Sequence, residues 1–236
     1  MIINQFYKSN VQELLLHMGH IGTSSKIYPM QSFSINLDFC PQDKMNDPDH
    51  TCHYCYVKKS ALWRYWKYLL DENTRLIQND PLWVKAISFY INKIGRLGQF
   101  RFWISGEFKD YTMFKKVMQV VKNCPGCKFW IPTTKHDLVF RYIDEFGKPE
   151  NASINLSYTF IHNDIPKKLI KKAVKYDLKI THAVISKEDV SCWANLNQSG
   201  NCEHCTECID SPRKDNSNRI INYRLKFNGK ILEEVI

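Results

Sequence analysis

Glycine is scarce, at nine residues in a chain of 236. No Gly-rich phosphate loop, dinucleotide fingerprint or zinc-protease helix occurs, so P-loop phosphoryl transfer and nicotinamide hydride transfer lack their usual signposts. No uncharged apolar run approaches the length of a membrane span. The opening stretch MIINQFYKSNVQELLLHMGH also lacks the basic-then-apolar order of a secretory leader. These absences predict a soluble, cytoplasmic protein with no membrane association. Repeats and low-complexity tracts are missing as well, which predicts one main domain with a late insertion.

Cysteine, by contrast, is plentiful. There are nine, and a chain of this length buries a core without disulfide staples. In a reducing cytosol an odd set of nine points to metal ligands or reactive thiols. The formal charge of +9 resembles a nucleic-acid footprint, but it counts every thiol as neutral. A three-thiolate cubane with a +2 core sums to −1 and a four-thiolate one to −2, so +9 would fall to about +6 with both loaded.

Apolar alternation predicts strands over residues 32–37, 99–104, 128–133, 152–161 and 178–186. Helical spacing predicts helices over 56–72, 80–95, 110–123, 135–147 and 164–177, the second starting at an Asp-Pro signal and the fourth closed by Gly147. Such alternation implies βα units around a parallel sheet, with a partial (β/α)6-type barrel as its natural closure. Working residues of such folds gather at the C-terminal strand ends. Here these are Cys40 onward, Ser105-Gly106-Glu107, Thr133-Thr134-Lys135, His162-Asn163-Asp164 and Ser186-Lys187-Glu188. Residues 189–218 break the alternation with turn-formers and four cysteines, so metal rather than a core would order them. The end of the chain reads as a hairpin around Asn228-Gly229.

Cys40, Cys52 and Cys55 provide three thiolates just after the first strand. A structural zinc site is closed by four ligands, for which His50, His53 or a distant cysteine would be needed. An iron–sulfur cubane on three thiolates instead leaves one iron open to another ligand. The arrangement resembles the radical SAM superfamily, whose signature ends in Cys-x-aromatic-Cys, as in Cys52-His53-Tyr54-Cys55. It departs in the first spacing, eleven residues here against the usual three. Ser105-Gly106-Glu107 resembles the family's Gly-Gly-Glu motif, with serine in place of the first glycine. A looser likeness is to phage-encoded proteins of unassigned function that combine a Cys-x-x-Cys-Tyr loop, a Ser-Gly-acid-Phe turn and a late cysteine cluster.

The radical SAM resemblance implies a catalytic [4Fe-4S] cluster on Cys40, Cys52 and Cys55. It further implies S-adenosylmethionine bound by Ser105, Gly106 and Glu107, with Tyr54 beside the adenine or cluster. An electron donor such as flavodoxin or ferredoxin would feed the cluster, and a 5′-deoxyadenosyl radical would act on a small-molecule or nucleotide substrate, with the basic balance favouring a phosphorylated one. Cys192, Cys202, Cys205 and Cys208 take overlapping Cys-x-x-Cys steps of the ferredoxin kind, suiting a second, auxiliary [4Fe-4S] cluster, with a zinc knuckle as the competing reading. The implied organisation is a barrel core over 1–186, the auxiliary-cluster segment over 187–218 and the hairpin over 219–236 packing on the core. Cys124 and Cys127 read as turn chemistry more readily than as a redox pair. The lysines from Lys167 to Lys175 read as a solvated helix face. The reading of another class is a zinc-stabilised nucleic-acid-binding protein in which both cysteine groups are structural and the basic charge binds.

Overall fold

The structure, a computed structural model, describes residues 10–22, 30–59, 63–161, 163–184, 220–224, 226–227 and 230–231. The elements are a helix over residues 10–16 (α1), β1 (Ile21–Gly22), β2 (Gln31–Phe33), α2 (Tyr56–Lys59), α3 (Trp63–Asn79) and α4 (Trp83–Phe89), which runs into a π-helical turn. After them come β3 (Gln99–Phe102), α5 (Tyr111–Asn123), β4 (Lys128–Thr133), α6 (His136–Phe146), β5 (Ala152–Tyr158), α7 (Lys167–Lys175), β6 (Lys179–Val184) and β7 (Ile220–Arg224). This is a mixed α/β protein. Strands β1 to β7 form one sheet in sequence order, with β2 to β7 parallel and β1 antiparallel on the β2 edge. Among the described residues the sheet is open between β1 and β7. A separate pair, β8 (Lys226–Phe227) and β9 (Lys230–Ile231), forms the expected hairpin.

Pleating assigns the two faces of the sheet. Phe33, Phe100, Phe102, Phe129, Ile131, Ile154, Leu156 and Ile180 project to one side, and there they join Leu76, Ile77, Ile87, Phe114, Val117, Val139 and Ala173 of α3 to α7 in one apolar core. All the covering helices share this face, as right-handed crossovers between strands in sequential order require. Each Phe sealed there contributes about 1.5–3 kcal/mol of burial. The Phe33–Trp83 ring pair at 5.2 Å binds β2 to α4, and Phe108–Phe114 at 4.8 Å binds the turn after β3 to α5.

Local chemistry sets the helix ends. Asp110 accepts a hydrogen bond from the Met113 N–H at 2.9 Å and so caps α5. Gly147, at φ 74°, ends α6. The first parallel strand is shorter than the pattern over 32–37 suggests, because residues 34–36 bond elsewhere. Ile35 N–H donates to the Ser105 carbonyl at 3.3 Å and Asn36 N–H to Thr74 Oγ1 at 3.0 Å. The predicted helix over 56–72 is divided into α2 and α3, with residues 60–62 outside the described residues. The two-residue β1 has no sequence pattern that announces it.

Candidate metal and cofactor site

Cys40 stands beyond the C-terminal end of β2, its N–H on the Leu37 carbonyl at 3.0 Å. Two 3-10 turns follow, Gln42–Asn46 and Thr51–Tyr54, the second carrying Cys52. His50 holds that second turn. Its Nδ1 accepts from the Cys52 N–H at 3.1 Å, which requires a neutral ring, and burial lowers its pKa accordingly. The His50 ring meets Phe160 edge-on at 5.3 Å. The Thr51 N–H donates to the Thr159 carbonyl and the Ile161 N–H to the Asp49 carbonyl, both at 2.9 Å, fastening the loop to the extension of β5. His53 donates from Nδ1 to the Met45 carbonyl at 3.2 Å and lies edge-on to Tyr54 at 4.8 Å. The Cys55 N–H closes the turn on the Cys52 carbonyl.

The three thiols share one electrostatic neighbourhood. Burial pushes the Cys40 thiol far up, and the charges of Glu107, Cys52 and Cys55 push it further, against a hydrogen bond from the Gly106 N–H. Burial, then Cys55, Glu107 and Asp43, pushes Cys52 up to about 12. Among the described residues no cation is among the charges that act on Cys40 and Cys52, and a metal cluster core would supply one. Among the described residues no three His, Cys, Asp or Glu side chains are placed to share a single metal ion. Three thiols are one ligand short of a closed tetrahedral zinc site, whereas an iron–sulfur cubane takes each thiolate on its own iron.

The Ser105-Gly106-Glu107 turn lies directly beside Cys40. Trp103, which leads into it, is held at φ 64°, a strained conformation for a bulky residue that turns its ring back into the apolar core. Gly106 has φ 88°, and a Cβ there would come within 2.4 Å of Ile35 Cγ1 and 2.8 Å of two backbone oxygens, so only glycine fits. Ser105 Oγ donates to the Ile35 carbonyl at 3.0 Å. Glu107 is buried, and its carboxylate already accepts four hydrogen bonds. One oxygen takes the Phe108 N–H and Thr133 Oγ1, the other the Thr134 N–H and Thr134 Oγ1, all at 2.6–2.8 Å. Burial nonetheless raises its pKa. Glu107 therefore ties the ends of β3 and β4 together.

Cys40, Cys52, Cys55, Tyr54 and the 105–107 turn thus lie on neighbouring loops at the C-terminal strand ends. Cys192, Cys202, Cys205 and Cys208 lie outside the described residues, as do His162 and residues 186–188. Cys124 and Cys127 sit at the opposite end of the sheet, before β4, sealed in the core, with Asn151 Nδ2 donating to the Val121, Cys124 and Cys127 carbonyls at 3.0 Å each. On α7, Lys172 covers the Phe140 ring at 4.3 Å and Lys175 the Tyr176 ring at 4.4 Å. The roles of His50, Trp103, Thr133 and Thr134 depend on contacts far apart in sequence. Thr133 and Thr134 fall on a strand end legible from the alternation, whereas nothing local marks Trp103.

Together these observations define a mixed α/β protein with a mostly parallel sheet and a thiol-bearing loop at its C-terminal rim. The chain belongs to the Gene product 88 family, which it matches over residues 12–212, a span that includes the four later cysteines. Of the two likenesses read from the sequence, this match bears out the looser, phage-like one. No curated protein and no solved structure matches the chain. Among the described residues no helix is long and apolar enough to cross a membrane.

Proposed function

We propose that the chain is a radical S-adenosylmethionine enzyme of the cytoplasm, its sheet curved as a partial (β/α)6 barrel. The observation that carries this reading is the meeting of Cys40, Cys52 and Cys55 with the Gly106 N–H and Glu107 at one strand-end rim. A reduced [4Fe-4S] cluster held by these thiols would supply one electron, becoming oxidised, for cleavage of the C5′–S bond of S-adenosylmethionine to methionine and a 5′-deoxyadenosyl radical. The protein's part is positional. The Gly106 N–H donates to the Cys40 sulfur and favours its thiolate. Ser105 and Gly106 offer backbone close to that sulfur for the cofactor's amino group. Glu107 fixes this backbone through Thr133 and Thr134, and a direct contact with the ammonium would displace one of its four donors. Tyr54 packs beside the adenine or cluster. His50 keeps the Cys52 turn shaped.

By the same reading Cys192, Cys202, Cys205 and Cys208 in the 187–218 segment hold an auxiliary [4Fe-4S] cluster, a flavodoxin or ferredoxin delivers electrons, and the substrate is a small phosphorylated molecule or nucleotide. Anaerobically purified protein is expected to be brown, with iron and acid-labile sulfide near eight each per chain. Dithionite and S-adenosylmethionine should then yield 5′-deoxyadenosine on chromatography. A colourless, zinc-loaded chain that shifts nucleic acid on a gel would replace this reading with the structural-zinc one.

A further inference from the structure

Helix α7 carries its charge differently from the other long helices. On α3 and α6 cations are answered by acids of the same helix, Lys67 by Asp71, Arg75 by Glu72 and Arg141 by Glu145. Helix α5 has lysines and no internal acid, but each lysine is engaged. Lys116 donates to the Ile77 and Gln78 carbonyls, while Lys115 and Lys122 lie over the Tyr111 and Phe146 rings. Helix α7 reads KKLIKKAVK, five lysines in nine residues with no acid. Leu169 and Ala173 are its buried residues, so the lysines fall on the outer side, where Lys167, Lys168, Lys171 and Lys175 are exposed. Lys175 meets Asp144 at 3.9 Å and Lys172 lies over the Phe140 ring at 4.3 Å. Among the described residues Lys167, Lys168 and Lys171 form no ion pair.

This arrangement works against the helix. Lys167–Lys171, Lys168–Lys172 and Lys171–Lys175 stand at i,i+4, and Lys168–Lys171 and Lys172–Lys175 at i,i+3, spacings at which like charges destabilise. Lys167 and Lys168 also occupy the first turn, where the helix dipole favours acids. Mixed charges would keep the surface just as well solvated and would add support, as they do on α3 and α6. The position of the helix is equally informative. The chain leaving β5 holds the cysteine loop through Thr159 and Ile161, and the Tyr158 hydroxyl donates to the Asp164 carbonyl at 3.1 Å. Lys167 and Lys168 therefore start α7 at the thiol-bearing end of the sheet, and its lysines run back from there over about 12 Å.

Charges strung along one helix side match an extended polyanion rather than one small anion. Phe140 and Tyr176, the rings beside α7, are already covered by Lys172 and Lys175, so the surface offers charge without an open platform for stacking bases. That favours the regularly spaced phosphates of a duplex, whose bases are stacked inside, over an open strand. We infer that the lysine face of α7 binds the phosphate backbone of double-stranded nucleic acid. In one respect this rests on the proposed enzyme reading, whose nucleotide substrate would then be one held within a duplex. Backbone binding itself needs no iron, so the two are tested separately.

The test is fluorescence anisotropy of a labelled DNA duplex of about twenty base pairs, titrated with the anaerobically purified full chain between about 50 and 200 mM salt. Lys167→Ala/Lys168→Ala/Lys171→Ala should bind about tenfold or more weakly and lose about 0.9 per lysine from the slope of log affinity against log salt. It should melt no lower than wild type, since three like charges leave the helix. Lys167→Arg/Lys168→Arg/Lys171→Arg keeps the charge and should bind as wild type does, which decides the matter should the alanine variant fold poorly. Lys85→Ala/Lys93→Ala/Lys115→Ala removes the same charge elsewhere and should bind nearly as wild type does. No duplex binding by wild type, or undiminished binding by the α7 alanine variant, overturns the inference. An equal loss in the Lys85, Lys93 and Lys115 variant overturns it in favour of net charge alone. A single strand bound as tightly, or polyglutamate displacing the duplex at equal charge, overturns it in favour of an open strand or an acidic protein. S-adenosylmethionine cleavage without duplex binding overturns this inference alone. Duplex binding without cleavage overturns the enzyme reading and leaves a nucleic-acid-binding surface.

Discussion

Two Cys-x-x-Cys steps in this chain have the same spacing and different surroundings. Cys52 and Cys55 sit half-buried on a 3-10 turn at the C-terminal strand ends, beside a third thiol and a buried carboxylate. Cys124 and Cys127 close a turn at the N-terminal end of β4, each thiol engaged with a backbone carbonyl inside the apolar core. Spacing fixes the reach between two sulfurs, whereas the end of the strand on which they fall decides whether a third ligand and a cofactor-facing turn can join them. In parallel α/β sheets the ligand-binding crevice lies outside the carboxyl ends of the strands.

The largest expected contrast is in activity. Cys52→Ala should abolish 5′-deoxyadenosine formation and leave any iron bound by the later four cysteines in place. Cys127→Ala should retain activity and cost about 1–2 kcal/mol in urea unfolding. Equal loss of activity in both would erase the distinction between the two steps.

A smaller effect separates the glycines. Gly106→Ala forces a Cβ into Ile35 at a positive φ and should cost about 1–3 kcal/mol, with weaker S-adenosylmethionine binding in calorimetry. Gly126→Ala, in the other cysteine turn, meets no atom within 4 Å and should stay within about 0.5 kcal/mol of wild type.

The smallest effect is that of His50. Burial lowers its folded pKa, so its contribution is present above the ordinary histidine value and is lost as pH falls through about 6.5 and below. His50→Ala should cost about 1 kcal/mol, the typical worth of a capping acceptor, and flatten stability between pH 7 and pH 5, while His50→Asn should restore part of the cap. A variant with the wild-type pH profile would assign the acid sensitivity elsewhere.

Much of this fold is legible because its signals are local. Lys128–Thr133 shows the strand that its alternation predicts, and α5 starts at the Asp110 cap and ends at residue 123, as its periodicity indicates. The cysteine trio is legible from type and spacing. The short β1 is not, nor is the early end of β2, because the carbonyl and hydroxyl partners of Ile35 and of the Asn36 N–H lie 38 to 70 positions away. Glu107 looks in sequence like a carboxylate awaiting an ammonium, whereas the fold has given its oxygens four donors from neighbouring strand ends. Asn155 was equally hidden, since between Ser153 and Ser157 it looks like the ordinary solvent side of a strand, yet it is fully buried.

By itself the sequence determined the alternation of strands and helices, the apolar stripe each helix presents and the intervals between cysteines, because periodicity and chain reach act over a few residues. Tertiary structure alone decided that Cys40 and Cys52 meet Glu107 and that Asn155 lies buried. Contacts across 50 or more positions follow from the register of parallel strands, and register is settled by the packing of the whole sheet rather than by any one segment.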